Sequence, residues 1–397
     1  MEETGTVQKR VAAEIDLDRL MQNAKWLKKK LAPHTAFAAV VKADGYGHGA
    51  VPIARELDPL ADWYCVATAE EALNLRSHAI GKPILILSPV PEEQYEALIQ
   101  AEVRMPVFTV EEAEAMSRQA EKVGKKALAH LAVDTGMNRI GIKPSPEAVS
   151  TAKRMAESCG LLLEGAFTHL YRADEKTLSS ARRQCLLFQH FLEELKREGI
   201  QPEWCHVANS AAIMRGIGTD FHMVRAGIAM YGIAPSREME GETLPLSPVM
   251  SLRSRVSYVK EIEAGEEISY GGIFRSEHSM RVATVSAGYA DGYPRSLSNC
   301  GQVLIAGRRA RILGRICMDQ MMVDVSDNPE AKRGSVVTLL GQDGGEAISL
   351  EELSQRSGRF PYEFVCDISR RVPRVYFRKG VQVGTKDWFQ DRYDSIR

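Results

Sequence analysis

The chain divides into two parts by the way apolar and polar positions alternate. From residue 36 to about residue 233, short apolar runs alternate with stretches of helical period, which is typical of repeated βα units. There are eight such runs, at residues 36–42, 63–67, 84–88, 104–108, 127–133, 162–169, 203–209 and 223–232. Eight parallel strands with intervening helices predict an α/β fold, a closed (β/α)8 TIM-type barrel.

After Pro235 the apolar runs are β-rich and punctuated by glycine, with little helical pattern between them. They predict a second, mainly β domain, and the Pro/Glu-rich segment 235–248 reads as the linker. We therefore expect a barrel domain over residues 1–240 and a C-terminal β-rich domain over residues 241–397. A β-like run at residues 11–17 cannot be assigned to either domain from its pattern.

Composition narrows the class of ligand. The 51 Lys and Arg residues nearly balance the 52 Asp and Glu residues without a long run of one sign, so nucleic acid and anionic membranes are not expected partners. No stretch approaches the roughly 18 apolar residues of a membrane span, and the N-terminus is polar. Seven scattered cysteines predict reduced thiols and no metal site. We expect a soluble, cytoplasmic protein that binds a small molecule.

Polar residues at the ends of the predicted strands are the first candidates for chemistry, since active sites of such barrels lie at the carboxyl ends of the strands. Lys42 ends the first apolar run in VVKADGYGHG, where desolvation would lower its pKa toward the range that a Schiff-base lysine needs. A lysine that reaches solvent from the strand end explains the position equally well.

The seventh and eighth strands end in HVANSAA and VRAGIAMYG. Ser210, Gly227 and Ile228 lie in the loops that form the common phosphate site of these barrels, although Ser210 also fits an ordinary helix N-cap. Arg225 lies inside an apolar strand, where its charge needs a partner, either a structural carboxylate or a cofactor atom.

Further candidates are weaker when taken singly. Arg139 lies in the turn DTGMNRIG, and His169 ends the sixth strand, where a structural histidine is the commoner finding. The second domain contains five further candidates, and either packing or a functional role would explain residues of these types. They are Tyr270, Tyr289, Cys317, Met318 and Asp319. The residues alone therefore predict a barrel enzyme with a lysine and a phosphate-bearing ligand.

Taken together, these motifs resemble those of the alanine racemases. The matching strings, in order, are AVVKADGYGHG, DTGMNRIG, GAFTHL, ANSAA, VRAGIAMYG, the YG of ISYGG, SAGYADGYPR, GRICMDQ, PYE and RVPRVY. They extend over nearly the whole chain. The resemblance implies a pyridoxal 5'-phosphate-dependent isomerase that interconverts L- and D-alanine and supplies D-alanine for peptidoglycan.

The resemblance also implies roles for single residues. Lys42 matches the lysine that carries the cofactor and acts on the D-alanine side, and Tyr270 matches the tyrosine that acts on the L-alanine side. Two bases on opposite faces suit racemisation, because one group would tend to return the proton where it found it. His169 and Arg225 match residues that hold the cofactor ring, with the arginine at the ring nitrogen and His206 supporting it.

By the same resemblance, further residues bind the ligand or line its entrance. The phosphate is expected on Tyr46, Ser210, Gly227, Ile228 and Tyr362. Arg139 is expected to contact the cofactor's phenolic oxygen and the substrate carboxylate. The backbone amide of Met318 is expected to donate a hydrogen bond to the same carboxylate. Asp174, Tyr289, Arg315 and Asp319 match the substrate entrance. Because Tyr270 and Met318 serve the neighbouring subunit in this family, a head-to-tail homodimer with composite sites is expected.

Two departures from the family pattern concern the substrate. Many members have a lysine, often carbamylated, where this chain has Ala132, and that group helps to orient the arginine matching Arg139. An anion or another side chain then takes that place, or Arg139 is held more loosely. FPYE at residues 360–363 also replaces the more usual INYE.

Three other functions stay open at this point. A serine, lysine or broad-specificity racemase would use the same catalytic pair. A decarboxylase of the same fold would tend to place a carboxylate at the ring nitrogen, which Arg225 argues against. A non-catalytic pyridoxal-phosphate carrier would not need the residues after Pro235.

Overall fold

The computed structural model describes residues 9–240 and 245–387, apart from the side chain of Glu240. Their contacts separate two compact units. We call residues 19–46 and 50–247 the barrel unit. We call the remaining described residues, namely those up to Asp18, residues 47–49 and those from Pro248 onward, the β unit.

Eight parallel strands of the barrel unit form a closed ring in chain order, from β2 to β9. They are β2 (Ala36–Val40), β3 (Trp63–Val66), β4 (Ile84–Ile86), β5 (Val103–Val107), β6 (Ala127–Ala132), β7 (Leu161–Phe167), β8 (Trp204–His206) and β9 (Met223–Ala226). Parallel pairing of β2 with β9 closes the ring. The predicted barrel is confirmed, and each of the eight apolar runs overlaps one of these strands, although β5 and β7 begin one residue before their runs.

Helices follow or precede the barrel strands as the βα pattern predicts, except that the short segment α2 is a left-handed turn. They are α1 (Leu17–Lys28), α2 (Lys42–Tyr46), α3 (Ala50–Leu57), α4 (Ala69–Ser77), α5 (Tyr95–Gln100), α6 (Val110–Val123), α7 (Pro146–Ala156), α8 (Ser179–Arg197), α9 (Ser210–Arg215) and α10 (Arg237–Glu240). Most of these helices present an apolar stripe to the barrel, and the strands are buried on both faces, so the strands read as continuous apolar runs. That arrangement leaves the strand ends and the loops after them for chemistry.

The β unit is built on one ten-stranded sheet, and the predicted mainly β second domain is confirmed. Its strands are β1 (Val11–Asp16), β10 (Met250–Ile262), β13 (Met280–Val285), β14 (Gln302–Ile305), β15 (Arg308–Leu313), β16 (Met321–Asp324), β17 (Val336–Asp343), β18 (Glu346–Ile348), β19 (Arg374–Arg378) and β20 (Val381–Lys386). Pairing of β17 with both β14 and β10 closes six of these strands into a ring. A separate hairpin pairs β11 (Glu267–Ile268) with β12 (Phe274–Arg275), and the unit has helices α11 (Leu350–Ser357) and α12 (Pro361–Cys366).

The run at residues 11–17, unassigned from its pattern, forms strand β1 of the β unit. It pairs antiparallel with β10 and parallel with β19, so the expected start of the barrel domain at residue 1 does not fit this pairing. The expected boundary between residues 240 and 241 adjoins residues 241–244, which lie outside the described residues, and stays a prediction. Within the described chain, no helix is both long and apolar enough to cross a membrane.

Candidate active site

Lys42 lies two residues after the buried strand β2 and directly before an unusual run of left-handed residues. The angle φ is +52°, +50°, +63° and +50° at Ala43, Asp44, Gly45 and Tyr46. Left-handed geometry costs about 1–2 kcal/mol for each residue other than glycine, so the surroundings must hold the turn. The amide of Gly45 donates to the Val41 carbonyl at 2.8 Å, and the Asp44 carboxylate accepts the amide of Ala50 at 2.8 Å. The turn thus fixes both Lys42 and Tyr46.

Tyr46, Ser210 and Gly227 meet where strands β8 and β9 end. The Ser210 hydroxyl accepts the amide of Gly227 at 2.9 Å and that of Ala229 at 3.4 Å. A Cβ on Gly227 would lie only 2.9 Å from the Tyr46 hydroxyl oxygen and 3.7 Å from that of Ser210. The three residues form a small cradle of hydroxyl and amide groups, the kind of surface that binds phosphate.

The alternative role of Ser210 as a helix cap is wrong. Asn209 is the N-cap of α9, and its side chain accepts the amide of Ala212 at 3.1 Å. Ser210 is the first residue of the helix, and its hydroxyl faces the start of the segment Gly227–Ala229 instead. The loop after β8 therefore presents a hydroxyl that the helix does not need.

Arg225 lies in β9 with 3 % of its surface exposed, and it is held by acceptors of this chain. Its Nη1 donates to the His206 carbonyl at 3.1 Å and to Nδ1 of the same residue. Its Nη2 donates to the carbonyls of Thr168 and Val207, at 2.8 and 3.1 Å, and lies 3.3 Å from Nδ1 of His169. Within residues 9–240 and 245–387, Nε has no hydrogen-bond partner.

The electrostatics of this cluster keep the histidines neutral. Burial, followed by the charges of Arg225, Arg139 and Lys42, lowers the pKa of His169 to about 3. Burial and the charge of Arg225 likewise lower the pKa of His206. Burial lowers the pKa of Arg225 to about 10, so the guanidinium is still protonated at neutral pH. The cluster therefore presents one permanent cation among neutral rings.

Arg139 borders a small cavity with room for about one water molecule. The cavity is lined by Ala132, Val133, Met137, Arg139, Ile140, Phe167, Thr168 and His169. Ala132 and Arg139, which the family pattern links, therefore line the same cavity, together with His169. What fills that space, and whether Arg139 is held loosely, stays a prediction.

In the β unit, Tyr270, Arg315, Met318 and Tyr289 come together at one edge. A Cβ on Gly271, next to Tyr270, would lie 2.8 Å from Nη1 of Arg315. The amide of Tyr289 donates to the Cys317 carbonyl at 3.0 Å, and that of Ala290 donates to the Met318 carbonyl at 3.0 Å. Tyr270 and Met318 are 68 % and 51 % exposed, so both side chains extend beyond the fold of their own unit.

The other expected entrance and phosphate residues, Tyr362, Asp319 and Asp174, have contacts within their own units. In the β unit, Tyr362 is the second residue of α12 and stacks on Phe360, with ring centroids 4.6 Å apart. The carboxylate of Asp319 pairs with Arg371 at 2.5 Å. In the barrel unit, Asp174 accepts the Ser236 hydroxyl on its backbone carbonyl at 3.2 Å.

Comparison with known proteins gives the family. The model of the alanine racemase N-terminal domain matches residues 15–235, and that of the alanine racemase C-terminal domain matches residues 249–376. The chain belongs to the alanine racemase family. It is accordingly a pyridoxal-phosphate-dependent isomerase of L- and D-alanine.

Individual relatives cover almost the whole chain. Alanine racemases of Methanococcus maripaludis and Symbiobacterium thermophilum are 40 % and 42 % identical; each alignment covers 92 % of this chain, and 98 % and 96 % of the relative. Among solved structures, the alanine racemase of Clostridium difficile 630 has a TM-score of 0.93 at 36 % identity and covers 97 % of this chain and 100 % of its own. The biosynthetic alanine racemase of Pseudomonas aeruginosa has a TM-score of 0.81 at 31 % identity, and the match covers 94 % of this chain and 100 % of its own.

Two polar groups of this chain were not predicted from its sequence. One is a row of polar residues inside the barrel, Arg104, His130 and Glu164, which adjoins His206. The other is Asp291 of the β unit, which is fully buried beside Arg10 and Arg371. A signal was available for the first group, since a charged or polar residue inside a strand buried on both faces needs a partner.

Proposed function

We propose that this chain interconverts L- and D-alanine with pyridoxal phosphate bound at the carboxyl ends of the barrel strands, with Lys42 and Tyr270 as the two bases. The observation that carries this proposal is the buried guanidinium of Arg225. Its Nη atoms are engaged by backbone and imidazole acceptors, while Nε has no partner among the described residues. A guanidinium N–H at the strand ends that has no protein acceptor suits the ring nitrogen of the cofactor.

The residues at these strand ends fit the rest of the cofactor. Tyr46, Ser210, Gly227 and Ile228 would hold the phosphate, and a Cβ on Gly227 would lie only 2.9 Å from the Tyr46 hydroxyl oxygen. Lys42 would carry the cofactor covalently, and Arg139 would contact its phenolic oxygen. When bound, pyridoxal phosphate supplies an aldehyde that takes up the substrate amino group and draws electrons away from the α-carbon.

The cation at Arg225 favours racemisation over decarboxylation. A permanent positive charge at the ring nitrogen disfavours protonation of that nitrogen and so weakens the electron sink. Burial leaves the pKa of Arg225 at about 10, so the charge persists at neutral pH. A weak sink suits a reaction that only removes and returns one proton at the α-carbon.

Lys42 and Tyr270 would act from opposite faces of the substrate, and we infer that they come from different subunits of a head-to-tail homodimer. Tyr270 is two-thirds exposed in its own chain, and Met318, whose amide would bind the substrate carboxylate, is about half exposed. Large exposed side chains that lie together on one edge of the β unit suit a surface that contributes residues to the active site of another subunit. The cytoplasmic location expected from the sequence stays a prediction.

Alanine is the substrate that the relatives favour. One similar structure, at TM-score 0.90, is a complex of the Clostridium difficile enzyme with cycloserine, and another, from Bacillus anthracis, has bound L-Ala-P. We therefore expect D-alanine to form much faster than D-serine or D-lysine when purified protein with added pyridoxal phosphate meets each L-amino acid. Chiral chromatography of the products measures this, and a faster reaction with serine or lysine would contradict the substrate assignment.

The two bases are tested by Lys42→Ala and Tyr270→Phe. We expect Lys42→Ala to abolish racemisation, and Tyr270→Phe to depress L-to-D turnover while the absorbance of the bound cofactor persists. Tyr258→Phe is the matched control, since Tyr258 is an exposed tyrosine of the same unit and should leave turnover unchanged. Full activity of Tyr270→Phe, or loss of its cofactor absorbance, would contradict the assigned role.

Mixing the two variants tests the composite site. If each site takes Lys42 from one subunit and Tyr270 from the other, a mixed dimer has one intact site and one doubly altered site. Random subunit exchange at equal concentrations should then restore roughly a quarter of the wild-type sites. No recovery in a mixture shown by mass spectrometry to contain mixed dimers would contradict the composite site.

A further inference from the structure

A row of polar side chains crosses the interior of the barrel from Arg225 to Arg104. In order, it runs through Arg225 of β9, His206 of β8, His130 of β6, Glu164 of β7 and Arg104 of β5. Nε2 of His206 lies 3.0 Å from Nδ1 of His130, and both histidines are fully buried. Nε2 of His130 lies 3.7 Å from the Glu164 carboxylate and has no closer partner among the described residues.

The two ends of this row determine where the imidazole protons are. A guanidinium can only donate, so Nδ1 of His206 must accept from Arg225, and Nε2 of His206 carries the proton. That proton is donated to Nδ1 of His130, which leaves the second proton on Nε2 of His130, facing Glu164. The Glu164 carboxylate can only accept, so the Glu164 end of the row also requires the proton of His130 to be on Nε2. One pair of tautomers is therefore consistent with both ends of the row, with the Nε2 proton of His130 facing the Glu164 carboxylate across 3.7 Å.

Glu164 is fixed at its end by Arg104. Nε and Nη2 of Arg104 donate to the two carboxylate oxygens at 2.8 and 3.0 Å, and the guanidinium lies over the ring of Trp63 at 5.1 Å. Burial would raise the pKa of Glu164, but the interactions with His130 and Arg104 outweigh it and lower the pKa to about 2. The acceptor end of the row is therefore a carboxylate at neutral pH.

An irregularity of the sheet places Glu164 there. The register between β6 and β7 shifts so that Ala129 pairs with Leu163 and His130 pairs with Gly165, which leaves Glu164 as the extra residue of a bulge. Bulges redirect one side chain and are rare between parallel strands. A Cβ on Gly165 would lie 2.5 Å from the His130 ring, so only glycine lets the bulged strand pass this close.

We propose that Glu164 is a positioning residue that acts through His130 and His206 to hold Arg225 with its Nη atoms engaged and Nε left for the cofactor ring nitrogen. Neither His130 nor Glu164 touches the reacting atoms in this account. The link from Arg225 to the cofactor rests on the proposed function, whereas the order of protons along the row does not. The two parts can therefore fail separately.

The order of protons is tested by nitrogen NMR of the holoenzyme labelled with 15N-histidine. We expect His130 and His206 to give the signature of neutral rings protonated on Nε2, each assigned from the spectrum of its single variant. In Glu164→Gln the His130 signals should move, because an amide can also donate to that ring. Glu198→Gln, which removes an exposed carboxylate of the same unit, is the control. Unchanged histidine signals in Glu164→Gln would overturn the proposal, whatever the activity.

The positioning role is tested by kinetics and cofactor absorbance in the same variants. We expect kcat to fall about tenfold in Glu164→Gln with a small change in KM for alanine, a shifted absorbance of the bound cofactor, and partial recovery in Glu164→Asp. If the NMR signals move while kcat and absorbance stay at wild-type values, the row exists but does not position Arg225, and the proposal fails. If the wild-type protein does not racemise alanine at all, that result instead contradicts the proposed function.

A second pair of variants covers the case in which Glu164→Gln does not fold. His130→Asn keeps an acceptor near the position of Nδ1, whereas His130→Leu removes it. We expect kcat and the His206 signal to lie nearer to wild type in His130→Asn than in His130→Leu. Equal effects of the two substitutions on both measurements would overturn the proposal.

Discussion

The buried carboxylate of Asp291 should be a principal stabilising group of the β unit. Its side chain is 1 % exposed and accepts from both nitrogens Nη1 and Nη2 of Arg10, from Nε of Arg371 at 2.8 Å and from the amide of Gly288 at 2.9 Å. We therefore consider Asp291→Asn, which keeps the size of the side chain but replaces one acceptor by a donor that faces an arginine.

The magnitude follows from the exposure of the partners. Breaking a buried ion pair by removing one partner costs about 3–5 kcal/mol. The side chains of Arg10 and Arg371 are 41 % and 35 % exposed, so water compensates part of the loss. We expect the free energy of unfolding to fall by about 2 kcal/mol, which lowers Tm by roughly 4–8 °C for a unit of this size.

Thermal unfolding followed by circular dichroism measures the effect, with Asp319→Asn as the matched control. Asp319 also pairs with Arg371, but its side chain is 55 % exposed, so its removal should cost less than about 1 kcal/mol. Hydrogen exchange should also become faster at Ala290, whose amide pairs with the Met318 carbonyl. If Asp291→Asn and Asp319→Asn lower Tm equally, burial does not set the strength of this cluster and the reasoning is refuted.

Two further predictions concern the barrel unit. Gly227→Ala should weaken pyridoxal-phosphate binding about tenfold in an absorbance titration, because the added Cβ would crowd the Tyr46 hydroxyl. Gly345→Ala is the control, since Gly345 has open space around it and its substitution should leave the affinity unchanged. Equal affinities of the two variants would contradict phosphate binding beside Gly227. Glu164 should stabilise the fold above pH 4.5, and this contribution should be lost as pH falls toward 2, since folding lowers its pKa from 4.5 to about 2. Urea unfolding of wild type and Glu164→Gln should therefore differ at pH 6 and converge near pH 2, and a gap that stays constant would contradict the lowered pKa.

The barrel could be predicted from the sequence because its strands are buried on both faces and read as continuous apolar runs. The candidate residues at the strand ends followed from the same pattern, since chemistry in a barrel collects there. Strand β1 was missed as part of the β unit because its pairing with β10 and β19 joins residues more than 200 positions apart. No local pattern contains such pairing.

The row from Arg225 to Arg104 could not be predicted for a different reason. His130, Glu164 and Arg104 each read as an isolated polar residue in an apolar strand, and alternation alone assigns their directions. The bulge at Glu164 breaks that alternation, and it depends on the close approach of Gly165 to the His130 ring. Likewise, Ser210 fits the helix-cap pattern, and only the structure assigns the cap to Asn209.

Arg225 also illustrates why a lysine would not serve in its place. Its Nη atoms donate to the carbonyl of Thr168, directly after β7, and to the carbonyls of His206 and Val207, at and directly after the end of β8. Buried carbonyls at strand ends need donors, and a planar guanidinium supplies several in fixed directions, whereas an ammonium is a single compact charge. The group that we propose to face the cofactor ring is thus oriented by the ends of two neighbouring strands. The backbone carbonyls anchor both Nη atoms, and the imidazole of His206 adds the side-chain acceptor through which Glu164 would act on the guanidinium.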